Sequence, residues 1–188
     1  MENAAKRAPG RPRSEASREA ILDAAYWQTM ERGYAAVTAE SIAEAARAGK
    51  QTLYRWWPSK AAIILDAFAQ KGRLRIDRAQ EAAIRAGDIE NFLRAALAAF
   101  SASGPILRHL MAEAQTDAGL RASLQARLIE PRRDALRRAL EARIEGAARR
   151  EALVAAMDGA LWQRILLDEP LDETFAVQLA ALAVSSRS

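Results

Sequence analysis

From Ile21 onward, apolar residues return at intervals of three and four wherever Gly or Pro does not interrupt the chain. Ile21, Leu22, Ala25, Tyr26 and Met30 form the first such run; Phe92, Leu93, Ala96, Leu97 and Phe100 form a later one. This is the period of one buried face of an α-helix. Ala and Leu carry most of the 51% hydrophobic content, β-branched residues are sparse, and 9 Gly and 6 Pro punctuate 188 residues. The pattern predicts an all-α protein of about nine helices, with enough apolar side chain to bury a core.

Several function classes are excluded by what the chain lacks. It has no Cys, so disulfides and thiolate metal sites are out. One His, His109, cannot build a multi-histidine metal site, and beside Leu107, Leu110 and Met111 it reads as a packing or surface residue. There are no clustered carboxylates with a base and no Gly-rich phosphate loop, so no enzyme and no cofactor is expected. Residues 1–13 are polar and basic, unlike a signal peptide, and no apolar run approaches the roughly 18 residues of a membrane span. A cytoplasmic protein without membrane association is the expectation.

The net charge of +4 is unevenly placed. Lys6, Arg7, Arg11, Arg13 and Arg18 face only Glu2 and Glu15 in the leading segment, while the remainder is nearly balanced. Residues 1–13 read as a basic arm that Pro9 and Pro12 keep from being helical. Gly10-Arg11-Pro12 resembles an AT-hook, which would lay Arg11 and Arg13 along a narrow minor groove; a solvated tail is the alternative.

The first helix is predicted to begin at Ser14 or Ser17 and to stop at Gly33. Thr38 caps a short second helix with Glu40 in its first turn and Ile42, Ala43 and Ala46 inside. A third runs from Lys50 to about Trp57, where Pro58 disfavours helical geometry in the residue before it, and Ser59 caps the next. Two short helices joined tightly, with small Ala43 at their crossing and Leu53 as anchor, make a helix-turn-helix. Its outer face offers Lys50, Gln51, Thr52 and Arg55, whose donors and acceptors suit base edges in a major groove. Tyr54, Ser59 and Lys60 would reach phosphates. Trp57 reads as core.

The segments "ERGYAAVTAESIAEAA" and "KQTLYRWWPSKAAIILDAF" resemble the N-terminal domain of TetR-family transcriptional regulators from Ile21 to Phe68, including Leu-Tyr, an aromatic two residues later, and Ser-Lys. The resemblance implies a helical homodimer without catalytic activity. Such a dimer binds a palindromic double-stranded DNA operator, usually represses, and is released by a small hydrophobic or amphipathic ligand; a constitutive DNA binder of the same fold is the alternative. The DNA-contacting set becomes Thr38, Arg47, Lys50, Gln51, Thr52, Tyr54, Arg55, Ser59 and Lys60, with Arg11 and Arg13 from the arm. The chain departs from the family at Arg47, Ala48 and Gly49, where the turn normally carries Gly, a hydrophobic residue and a capping Ser or Thr. A left-handed Arg47 would cost on the order of 1 kcal/mol, and Gly49 is a weaker cap than Ser.

The helix after Ser59 is expected to continue through "QKGRLRIDRAQEAAIRA" to Gly87, dividing a 14–60 DNA-binding domain from a 61–188 ligand-binding and dimerisation domain. Asp88 caps the following helix and "SASGP" breaks the chain. A short helix spans 106–115, and Asp117 caps a long one kinked at Pro131 and ended by Gly146. A final pair, 151–167 and 172–184, carries Leu153, Met157, Leu161 and Ile165 on one helix and Leu171, Phe175, Leu179 and Leu182 on the other. Leu161, Ile165, Phe175, Leu179 and Leu182 are assigned to a dimer interface built as a four-helix bundle, with intrachain core as the alternative. Phe68, Phe92, Phe100, Leu107, Met111 and Trp162 are assigned to a ligand pocket.

Overall fold

The computed structural model describes residues 11–71 and 77–184, with side chains from Glu15 to Ala183. The described residues fold into eleven α-helices and no strand. They fall into two compact units, one ending at Ala67 and the next beginning at Phe68, within a helix; the domain boundary expected from the sequence lies nearby, at 60/61.

The first unit holds α1 (Arg11–Arg32), α2 (Ala39–Ala45), α3 (Lys50–Trp56) and most of α4 (Lys60–Gln70). The α1 backbone is helical from Arg11, so the extended reading of Arg11 and Pro12 and the start at Ser14 or Ser17 are corrected. Proline is tolerated in a first turn, where its missing N–H has no intrahelical acceptor. Residues 1–10, and the side chains of Arg11 and Arg13, lie outside the described residues. Gly33 ends α1 at φ 79°, its amide donating to the Thr29 carbonyl. Ile21, Leu22, Ile42, Leu53, Ile63 and Ile64 are fully enclosed and form the core of the unit. Burial of such side chains stabilises by about 1.5–3 kcal/mol each.

The second unit has two more helices than the sequence pattern suggests, and both have local causes. Asp77 opens α5 (Arg78–Ala86) with a capping box: its carboxylate accepts from the Gln80 amide at 2.8 Å, and the Gln80 side chain accepts from the Asp77 amide at 3.0 Å. The expected continuous helix to Gly87 is therefore two helices. Gly87, left-handed at φ 64°, ends α5, and Asp88 caps α6 (Ile89–Ser101). After α7 (Gly104–Ala114) come α8 (Ala118–Leu124) and α9 (Glu130–Glu141), joined by one wide π-helical turn over Gln125–Ile129. Pro131 cannot donate to the Arg127 carbonyl, so the ladder widens just ahead of it. Gly146 (φ 86°) precedes α10 (Ala147–Leu167), and α11 (Glu173–Val184) closes the unit against α6.

Candidate DNA interface and effector pocket

The recognition element is assembled by three neighbouring helices. The Thr38 hydroxyl accepts from the Ser41 amide at 3.0 Å and the Ser41 hydroxyl accepts from the Thr38 amide at 3.1 Å, a reciprocal cap that starts α2. The Ser41 hydroxyl also donates to the Gln28 side chain at 2.8 Å, and the Gln28 amide donates to the Ser41 carbonyl at 2.9 Å. These bonds tie the start of α2 to α1. At the other end, Ala48 N–H reaches back to the Ala43 carbonyl (2.9 Å) and Arg47 N–H to that of Glu44 (3.0 Å), with Arg47 at φ 50°. This is the Schellman helix end, with arginine in the left-handed position that glycine usually fills. Gly49 takes the N-cap of α3 in extended geometry without a side-chain bond.

Within α3 only Leu53 is buried; Lys50, Gln51, Tyr54, Arg55 and Trp56 are exposed and Thr52 is half-buried. The polar residues assigned to base contacts therefore share a short helix whose opposite side is anchored. The Lys50 ammonium pairs with Glu40, whose carboxyl is held below its ordinary range by that hydrogen bond. Arg55 lies 5.8 Å from the Trp56 ring centroid. Trp56, 38% exposed, was not among the expected contacts although it adjoins them in sequence.

The far end of α3 is fastened by one carboxylate. Trp57 is buried in extended geometry (φ −134°, ψ 132°), as a residue before proline should be. Its indole N–H donates to Asp66 Oδ2 at 2.9 Å, and the Arg18 guanidinium donates to the same oxygen at 2.8 Å. The Ser59 hydroxyl accepts from the Ala62 amide at 3.2 Å, so its oxygen serves the start of α4. The Lys60 ammonium donates to the Tyr34 carbonyl at 3.1 Å and sits 4.0 Å from the Tyr34 ring centroid. Lys60 thus braces the loop between α1 and α2 and retains two N–H groups for another acceptor.

In the second unit, a pocket opens among α5, α6, α9, α10 and α11. Phe92, Leu97, Phe100, Leu136 and Met157 supply apolar walls, while Gln80, Arg132, Arg133 and Asp158 bring polar groups. Of the six residues assigned to a pocket, Phe92 and Phe100 line this one. Trp162 packs edge-on against Phe100, centroids 6.1 Å apart, outside the lining. Phe68 and Leu107 are buried away from it, and Met111 is half-buried elsewhere on α7; an aromatic-and-methionine stripe at helical spacing marks core as readily as cavity.

The interface assignment also changes. Leu161, Ile165, Phe175 and Leu179 are enclosed by their own chain, and Leu161 and Leu179 line the pocket. A side chain already buried has little surface left for a second subunit. Leu182, at 45% exposure, remains on the outside, together with Leu166 and Val177.

A helix-turn-helix set on a three-helix core, followed by a separate helical unit with its own cavity, defines a helical DNA-binding regulator. Comparison with known proteins agrees. Residues 21–67 match the family described as bacterial regulatory proteins, tetR family, and residues 84–183 match the tetracyclin repressor-like C-terminal domain. The HTH-type transcriptional regulator YdeS of Bacillus subtilis (strain 168) is 32% identical over 169 residues, covering 84% of this chain and 82% of YdeS. The crystal structure of the TetR-family regulator SCO0332 superposes with a TM-score of 0.70 at 28% identity, covering 92% of this chain and 99% of that one. Thermus thermophilus FadR, a TetR-family repressor crystallised with lauroyl-CoA, shares the fold at 19% identity (TM-score 0.66; 91% and 95% covered). The chain belongs to the TetR family and is a DNA-binding transcriptional regulator. No helix among the described residues is long and apolar enough to cross a membrane.

Proposed function

We propose that the protein is a homodimeric repressor that grips a palindromic operator with α3 of each subunit and releases it when a small molecule enters the pocket of the second unit. The observation that supports the reading is that cleft: it is apolar with polar groups at its wall, and its cavity of about 40 Å³ would have to widen as an effector enters. Lys50, Gln51, Thr52 and Arg55 read bases. Thr38, Arg47, Tyr54, Ser59 and Lys60 hold phosphates.

The proposed subunit contact uses the outer faces of α10 and α11. Ala152, Ala156, Gly159, Gln163 and Leu166 recur at spacings of four and three and are exposed, as are Val177 and Leu182 on α11. Gly159 supports this choice. A Cβ there would meet nothing within 4 Å in its own chain, so intrachain packing gives no reason for a residue that weakens a helix by about 1 kcal/mol relative to Ala. A second helix approaching closely does give one.

Ligand and DNA then compete through one equilibrium: whatever factor the ligand takes from operator affinity, the operator takes from ligand affinity. Fluorescence anisotropy of a labelled operator, titrated with protein with and without ligand, together with calorimetry of ligand on free and operator-bound protein, tests this. Equal factors support it; a ligand that binds both forms alike contradicts it.

A further inference from the structure

The polar groups at the pocket wall are not equivalent. Arg133 Nε is bonded to Asp158 Oδ2 at 2.8 Å, and that carboxylate is largely enclosed. The Gln80 side-chain oxygen is committed to the cap of α5. Arg132 differs: its guanidinium carbon lies 3.3 Å from the Phe100 ring centroid, and its buried Nη2 has no hydrogen-bond partner. Burial pulls its pKa down to about 9 against the opposing pull of Asp158 and Asp77, so it is still a cation at neutral pH. A stacked, charged guanidinium beside an apolar cleft thus keeps one donor, Nη2, without a hydrogen-bond acceptor.

The geometry points to a small organic monocarboxylate as the ligand of this pocket, its carboxylate on Arg132; the cavity of about 40 Å³ has room for that group, and an aromatic or aliphatic body enters by parting Phe92, Leu97, Phe100 and Met157. A carboxylate matches the planar fork of a guanidinium and carries one charge. Asp158 is bonded to Arg133, and both Asp158 and Asp77 act on Arg132 through space, so a second negative charge on the ligand is disfavoured. This inference deepens the ligand-released repressor proposed above by naming the ligand class, and rests on that reading only for its regulatory consequence.

The test is isothermal titration calorimetry of the full chain at pH 7.5 with matched probes: 4-phenylbutanoate against 4-phenylbutanamide, and octanoate against octanamide. In the wild type each acid is expected to bind at least about tenfold tighter than its amide. In Arg132→Met, which keeps the stem volume and removes the charge, the acid loses that advantage while the amide is held as before. Amides binding as tightly as acids in the wild type, no binding by any of the four, or an acid preference that survives Arg132→Met would each overturn the inference. Should the variant not fold, the wild-type comparison decides alone. Operator anisotropy with the same probes separates the two proposals. Acids bound through Arg132 without operator release uphold the site and sink ligand release; release by a neutral compound, with no acid bound, does the reverse.

Discussion

Replacing Asp66 by Ala removes one carboxylate oxygen that two groups share, and the structure gives the scale of the loss. The Trp57 indole N–H, enclosed with its ring, would lose its acceptor at 2.9 Å; an unmet buried donor costs about 1–3 kcal/mol. The Arg18 guanidinium, 28% exposed, would lose its partner at 2.8 Å but recover some water; roughly 1 kcal/mol is reasonable for a pair so placed. Together Asp66→Ala should cost about 2–4 kcal/mol. Asp66→Asn keeps an acceptor for the indole and loses only the charge, so it should cost about 1 kcal/mol. The two units need not open together, so the assay is hydrogen exchange read peptide by peptide by mass spectrometry. Peptides from α3 and α4 should exchange roughly 30- to 900-fold faster in Asp66→Ala, and peptides after Asp77 should be unchanged. A loss below about 0.5 kcal/mol, within the usual range for surface substitutions, would refute the anchoring argument. An equal loss in Asp66→Asn would refute the division between the two bonds.

Three further outcomes are expected. Lys60→Ala should weaken specific and scrambled duplexes alike and reduce the slope of log affinity against log salt by about one, whereas Gln51→Ala should cost about 1–3 kcal/mol at one half-site position, both read by anisotropy. Leu182→Glu should give a monomer that keeps helical circular dichroism and loses tight palindrome binding, while Leu179→Glu, buried in its own chain, should unfold the second unit; sedimentation and dichroism distinguish them. Glu81 and Glu151 are held below their ordinary value of 4.5 by Arg138 and Arg137, and Asp88 below 3.8 by the Asn91 amide. On acidification the unfolded chain takes up these protons first. Their contribution is therefore complete above about pH 4.5 and fades as pH falls through the lower folded values, so a melting temperature that rises between pH 5 and 3 would contradict the assignment.

The boundaries of the first unit between α1 and α4 were legible because each has a local chemical sign: Gly33, Thr38, Gly49, Pro58 and Ser59 stand where the chain turns, whereas the start of α1 was misplaced at Ser14 or Ser17. The left-handed Arg47 was legible through its departure from the family's glycine. The break before α5 also had its sign, since Asp77 and Gln80 stand at capping-box spacing, but the helical run on either side obscured it. Arg132 was hidden by its charge. Its spacing was the sign left unread, because it falls on the buried stripe of Leu128, Ala135, Leu136 and Ala139, where a solvated arginine has no place. The interface is a different case. Apolar spacing shows that Leu161, Ile165, Phe175 and Leu179 face something, and cannot distinguish the core of one chain from the surface of a second.

The account's central claim is that α3 reads DNA as one half of a symmetric pair. Selecting the duplexes that the full chain retains from a random pool, followed by sequencing, tests it most directly. The expected result is an enriched inverted repeat with half-site centres about one helical turn or more apart, lost when Gln51 and Arg55 are both replaced by Ala. Recovery of a single unrepeated motif would contradict the paired reading, and no enrichment over the input pool would contradict sequence-specific binding itself.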